Sequence, residues 1–153
     1  MEETMKEPIV LVLSKFNRAH KKMNGIYHNY AKQVGLSDAA FWILYSLYEH
    51  GNPCTQKDLC EAWFYAPQTI NTALKTLEEK GFVSLELVPK SRKNKQILFT
   101  ETGKSLVEEK ISPLVQAEER SFELLDEQER AQLLAITQKH IALLEEEIDK
   151  IIG

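Results

Sequence analysis

Between Pro89 and Gln96 the chain carries Lys90, Arg92, Lys93 and Lys95 with no acidic residue among them. Four unopposed cations on one short stretch form an anion-binding element, and in a chain of net charge -4 such a local excess calls for an anionic partner. Shortly upstream, Pro67 to Lys80 has the period of a helix. At about 100° per residue, Ile70, Ala73, Leu74 and Leu77 fall on one side. Gln68, Thr72, Lys75 and Glu79 point away from them, with Thr69, Asn71 and Thr76 on the flanks. Gln and Asn amides pair bidentately with an adenine edge, Thr touches a thymine methyl or a phosphate, and Lys reaches guanine or the backbone. The helix N-terminus itself favours phosphate. Taken alone, a polar outer face is what any surface helix carries. A cationic element arriving just after it makes the pair more specific: one part suits base edges in a groove, the other the adjacent phosphates or the minor groove.

The other reactive residue types form no comparable set. His20, His28, His50 and His140 contain no His-x3-His or Glu-x2-His ligand pair, so neither a metal nor any other cofactor is expected. His20 lies on an apolar stripe and reads as a packed or pocket-lining residue. Cys54 and Cys60 lack CxxC spacing and read as free thiols. As oxidant sensors they are poorly placed, because Cys60 is expected to face the core and Lys57 is the nearby cation that would lower a thiol pKa. With no nucleophile-base-acid set, Gly-rich phosphate loop or paired-carboxylate cleft in view, the reading is that the chain is not an enzyme. The acidic "EEEID" run near the C-terminus reads as an exposed helix face.

A chain of 153 residues suits one compact unit with a true core. Gly and Pro are sparse, and no run of about 18 apolar residues occurs, so no membrane span is expected. The opening "MEETMKEP" is charged where a secretory signal needs an apolar segment, which points to the cytoplasm. Charge is polarised along the chain. Met1 to Pro67 balances seven basic against seven acidic residues, Gln68 to Lys104 has seven basic against four acidic, and the C-terminal remainder is strongly acidic.

The elements that position the polar and cationic residues follow from periodicity and end signals. Ile9, Leu13, Phe16, His20, Met23, Tyr27, Tyr30 and Val34 recur in steps of four and three, predicting a long first helix stopped by Gly35. Ser37 and Asp38 open a second helix with Phe41, Leu44, Tyr45 and Tyr48 on its inward face, ending near Gly51 and Pro53. Thr55 and Asp58 give a capping-box-like start to a short third helix with Leu59, Cys60 and Trp63 on its apolar face. After "FYA", Pro67 begins the fourth, which runs to Gly81. These two short helices form a helix-turn-helix candidate. "FVSLELV" and "QILFT" predict a hairpin whose tip is the cationic stretch. Thr100 or Thr102 caps a long helix that Pro113 should kink, and Asp126 starts a last helix with Leu134, Ile141, Leu144, Ile148 and Ile151 as its stripe. Five or six helices with a hairpin directly after a helix-turn-helix make a mainly α winged-helix arrangement.

"QTINTALKTLEEKGFVSLE" followed by "RKNKQILFTETGKSL" contains Leu77, Glu78, Gly81 and Phe82, then the basic segment, then Thr100 and Gly103. In this order and spacing the chain resembles the MarR-type winged-helix transcriptional regulators over nearly its whole length. The resemblance implies a single MarR-like unit, 1–153, with a winged helix-turn-helix over 37–104 and dimerisation helices over 1–36 and 105–153. It implies an obligate homodimer on a pseudo-palindromic double-stranded DNA operator, with recognition helices about 34 Å apart. It places Gln68, Thr69, Asn71, Thr72 and Lys75 at base- or phosphate-reading positions and Arg92 and Lys93 at the wing's arginine positions. Lys90, Ser91 and Lys95 complete the expected DNA-binding set. One departure concerns Ser91, which stands where the family wing commonly carries an Asp that orients the arginine. The resemblance also implies a ligand-responsive repressor, with a small-molecule pocket for which His20, Tyr27, Tyr30, Phe41, Trp42, Tyr45 and Trp63 are the candidates. The alternative is a winged-helix protein-interaction module whose hairpin binds an acidic partner.

Overall fold

The computed structural model describes residues 6–51, 54–63, 65–88 and 95–153. They form seven helices and three short strands in two compact units, Met1–Ile111 and Ser112–Gly153.

The first unit begins with α1 (Ile9–Gln33), which ends where Gly35 takes a left-handed φ of 79°. The second helix, α2 (Asp38–His50), is capped by Ser37, whose hydroxyl accepts from the Ala40 N–H at 3.2 Å. His28 of α1 lies 2.9 Å from both carboxylate oxygens of Asp38, which ties the two helices at this end. Then come β1 (Cys54–Thr55), α3 (Gln56–Trp63) and α4 (Pro67–Glu79). The fourth helix closes with Gly81 at φ 79°, its N–H donating to Glu78 O and the Phe82 N–H to Leu77 O, the paired bonds of a glycine-terminated helix end. Strands β2 (Val83–Leu87) and β3 (Lys95–Phe99) pair antiparallel, with Leu85 opposite Ile97 and Leu87 opposite Lys95. Thr100 then caps α5 (Glu101–Lys110), accepting from the Gly103 N–H at 3.0 Å. Thr100 is thus the cap, rather than Thr102.

The core of this unit is built by Phe41, Ile43, Leu44 and Leu47 of α2, Leu59 of α3, and Ile70, Leu74 and Leu77 of α4. Val83 and Ile97 of the sheet, Val107 of α5 and Ile111 just after it close the core. Burying side chains of this size contributes about 1.5–3 kcal/mol each relative to exposure, so the helix-turn-helix is held mainly from its apolar back.

The second unit contains α6 (Ser112–Glu123) and α7 (Glu127–Ile152). Asp126 and Glu129 form a reciprocal capping box at the start of α7, with bonds of 2.8 and 2.9 Å. Arg130 reaches back to the carbonyls of Phe122 and Leu125 at 3.1 and 2.6 Å, placing a cation at the negative end of α6.

Several expectations change. The predicted kinked helix is interrupted at Ile111, because Pro113 has no N–H to continue a ladder and instead occupies the first turn of α6, where none is needed. That interruption raises the helix number from the expected five or six. The hairpin gains a third strand, β1, which pairs with β3 through Cys54 and Ile97 to give the order β1-β3-β2. Tyr48, expected inward, is 39% exposed, and Cys60 is half-buried; Ile43 and Leu47 take the core positions beside Leu44. No helix among the described residues is long and apolar enough to cross a membrane.

Candidate nucleic-acid interface

On α4 the apolar side chains Ile70, Ala73, Leu74 and Leu77 are buried, while Gln68, Thr69, Asn71, Thr72 and Lys75 are all exposed on the outer side. Burial therefore orients the helix so that its hydrogen-bonding residues face away from the core. Its first turn begins at Pro67 behind Ala66, and among the described residues no side chain caps it. The N-terminal end of a helix dipole favours negative charge.

The outer residues differ in how they are held. Gln56, the first residue of α3, donates from its amide to the Asn71 carbonyl oxygen, which ties Asn71 to the neighbouring helix. Thr72 donates its hydroxyl to Gln68 O at 3.0 Å, and Thr76 donates to Thr72 O at 3.1 Å. Those hydroxyl protons are used within the helix, so what Thr72 offers a partner is its methyl group and its oxygen as an acceptor. Gln56 was not among the residues expected here, because nothing local in "TQKDL" shows that it meets a side chain fifteen positions later.

The cationic element is partly placed. Lys95 opens β3 and is exposed, opposite the exposed Leu87 at the same end of the hairpin. Lys90, Ser91, Arg92 and Lys93 lie outside the described residues. The base of the hairpin is braced by Thr100, whose hydroxyl donates to Gly81 O at 2.6 Å while its N–H donates to Phe82 O at 3.2 Å. One residue thus links the end of α4, the end of β3 and the start of α5.

Of the candidate small-molecule pocket, six residues come together. Trp42 stands at the centre, with ring centroids 5.1 Å from Tyr27, 4.9 Å from Phe41, 5.3 Å from Tyr45 and 4.6 Å from Trp63. Tyr30 joins through Phe41 at 6.1 Å, and its hydroxyl donates to the Lys110 carbonyl. Trp63 donates its indole N–H to Ser46, the buried polar side chain of α2. The cluster therefore connects α1, α2, α3 and α5. His20 is not part of it: the residue is exposed, and its ring stacks on Phe16 one turn away.

Cys54 is buried, and burial, with the nearby Asp58 charge, pushes its thiol up to about 11. A thiol raised in this way disfavours the thiolate form that oxidants attack. Asp58 is held below the ordinary carboxylate range, mainly by the Thr55 backbone N–H that it accepts at 2.9 Å.

The MarR family model matches residues 34–93. An uncharacterized helix-turn-helix-type transcriptional regulator of Bacillus subtilis, YwhA, is 33% identical over 98 residues, covering 64% of this chain and 70% of the relative. Among solved structures, the MarR family regulator NMB1585 of Neisseria meningitidis is similar with a TM-score of 0.76 at 22% identity, covering 90% of this chain and 96% of that one. S. aureus MepR in its DNA-binding conformation gives 0.74 at 24% identity, covering 87% and 98%. At these identities the two structures establish the fold.

Proposed function

The chain belongs to the MarR family of transcriptional regulators, and on that premise we propose that it binds double-stranded DNA sequence-specifically as a cytoplasmic homodimer. We assign it the role of a repressor whose DNA affinity a small molecule changes, and no catalysis. The observation that carries the reading is the outer face of α4, where Gln68, Asn71 and Lys75 are exposed beside an uncapped helix N-terminus and Asn71 is held by Gln56. Such a face suits a major groove, with base edges read by the amides and phosphate met by the helix end. MepR, which shares the fold, has been solved in a DNA-binding conformation, and this supports the same use of α4 here.

Two copies are needed for the geometry, because recognition helices about 34 Å apart meet successive major grooves of a pseudo-palindrome. Support for a second copy comes from exposed apolar residues on α1 (Ile9, Leu13, Phe16, Met23) and on α7 (Leu134, Ile141, Leu144, Ile148, Ile151). The ring cluster around Trp42 supports the ligand response, since a molecule that displaces one ring disturbs the packing of α1, α2 and α3 together. A ligand that prefers another separation of the reading helices draws the population away from DNA binding.

The direct test is fluorescence anisotropy of the purified protein with duplex DNA from its own promoter region over a range of salt. Tight, salt-sensitive binding is expected; its absence overturns the regulator reading and favours a module for an acidic protein partner. Arg92→Ala or Lys93→Ala should weaken binding to all sequences alike and reduce the log-log salt slope by about one per lost phosphate contact. Gln68→Ala or Asn71→Ala should instead erode discrimination by about 1–3 kcal/mol for the base pair each reads, leaving non-specific binding nearly unchanged. Gln56→Ala is expected to reproduce the Asn71 effect in weaker form, read as the ratio of affinities for the cognate and a singly mismatched duplex.

A further inference from the structure

His50 is the last residue of α2, Cys54 the first of β1 and Asp58 the third of α3. Although they belong to three different elements, one ligand atom from each, a ring nitrogen, Sγ and a carboxylate oxygen, lies within 4.8 Å of the other two. All three line one surface depression of about 310 Å³, together with Glu49 and Trp63. We propose that His50, Cys54 and Asp58 form a binding site for a divalent transition metal of the zinc class, separate from the α4 outer face and bordered by Trp63 of the ring cluster.

The donor chemistry selects the ion. One thiolate, one imidazole and one carboxylate suit borderline-soft Zn²⁺, whereas Mg²⁺ or Ca²⁺ would call for oxygen ligands throughout. Donor atoms around one tetrahedral zinc lie roughly 3.3–3.8 Å apart, given bonds of about 2.0–2.3 Å. Closing the present set onto an ion therefore takes a displacement of roughly 1 Å, within reach of side-chain rotation. The fourth position falls to water. Binding forms the metal–sulfur, metal–nitrogen and metal–oxygen bonds and releases the thiol proton to solvent, with no change of oxidation state.

Two of the ligands are held before any ion arrives, one by strand pairing and one by hydrogen bonds between side chain and backbone. Cys54 is fixed in β1 by its register opposite Ile97. Asp58 is fixed by reciprocal bonds with Thr55, accepting from its N–H at Oδ2 and donating its own N–H to the Thr55 hydroxyl, which leaves Oδ1 outside that pairing. His50, exposed at the helix end, supplies the third arm. Preorganised ligands lose less freedom on binding, which is what separates a site from a chance cluster of surface groups. An ion there would clamp the end of α2 to β1 and to the start of α3, whose first residue, Gln56, holds Asn71. That regulatory consequence rests on the DNA-binding reading; the metal site itself does not.

The test is titration of the untagged, metal-free protein with Co²⁺, followed by absorbance. One equivalent should produce a thiolate-to-cobalt charge-transfer band in the near ultraviolet with intense tetrahedral visible bands, and Zn²⁺ should abolish both. The chain contains two cysteines, so two variants settle the sulfur: Cys60→Ser keeps the band and Cys54→Ser loses it. His50→Ala, at an exposed helix end, should fold normally by circular dichroism and bind Co²⁺ at least tenfold more weakly. No charge-transfer band in the unmodified protein, a band lost in Cys60→Ser, or unchanged affinity in His50→Ala overturns the site. These three readings decide it even where Cys54→Ser fails to fold. Cobalt binding by a protein that ignores DNA would remove the α4 reading and leave the metal site standing.

Discussion

Gly103→Ala should destabilise the protein by about 3 kcal/mol or more, at the upper end of what overpacking does. A Cβ built on Gly103 meets the Phe82 carbonyl oxygen at 1.9 Å and its carbon at 2.9 Å. Neither atom can rotate aside. The Phe82 carbonyl accepts from the Thr100 N–H at 3.2 Å, and the Phe82 N–H donates to Leu77 O at 3.0 Å, so this peptide is tied on both sides. Accommodating a methyl group means moving the start of α5 away from the end of α4 and breaking the Thr100 bonds to Gly81 and Gly103 that brace the hairpin. Urea or thermal unfolding measures the effect, with a fall in Tm of roughly 6–12 °C for a chain of this size. Gly25→Ala is the internal control. Gly25 lies inside α1 with nothing within 4 Å of a built Cβ, and the change should be neutral or stabilising by up to about 1 kcal/mol. If both variants unfold alike, the close approach at Phe82 is wrong.

The second large effect is on assembly. Leu144→Glu combined with Ile148→Glu should convert a dimer into a folded monomer. In the single chain Leu134, Ile141, Leu144, Ile148 and Ile151 are 60%, 50%, 50%, 43% and 82% exposed. At about 100° per residue they fall within an arc of roughly 100° along α7, a continuous apolar stripe of the kind that a second copy covers. On a solvated helix two glutamates are tolerated, so the isolated chain should keep its helical spectrum. Inside an apolar interface each carboxylate would be desolvated without a partner, at several kcal/mol apiece, and association should weaken by a thousandfold or more. Sedimentation velocity at micromolar concentration distinguishes the outcomes. A variant that remains dimeric places the interface elsewhere. Because two half-sites must be engaged together, operator affinity should fall with the dimer even though α4 is untouched.

Local chemistry was legible in the sequence to the extent that its causes are local. Ser37, Asp126 and Pro67 begin helices, and Gly35 and Gly81 end them, because capping and left-handed backbone are decided within a turn of the residue concerned. The polar face of α4 was readable for the same reason: Ile70, Ala73, Leu74 and Leu77 define the buried side, and the exposed side follows. Periodicity also found the stripes of α1 and α7. It could not say what covers them, and Ile9, Leu13, Phe16 and Met23 are exposed where Ala31 is buried. An apolar stripe records that a partner exists, whether the same chain or another supplies it.

What remained hidden depends on residues brought together from distant positions. Gly103 reads as a helix residue until the end of α4 is set against it, and Asn71 reads as one exposed amide among several until Gln56 arrives to hold it. The two-residue strand Cys54–Thr55 is too short for alternation to reveal, and exists because β3 offers it an edge. His50, Cys54 and Asp58 are spaced by fours, which would suggest one helical face, yet they meet across the end of α2, β1 and α3. Helix positions, caps and the polar face of α4 were set by short-range periodicity and backbone chemistry, whereas the brace at Phe82, the Gln56–Asn71 bond and the three-residue cluster were set by packing. The reason is that burial brings together backbone and side chains whose separation along the chain carries no local signal.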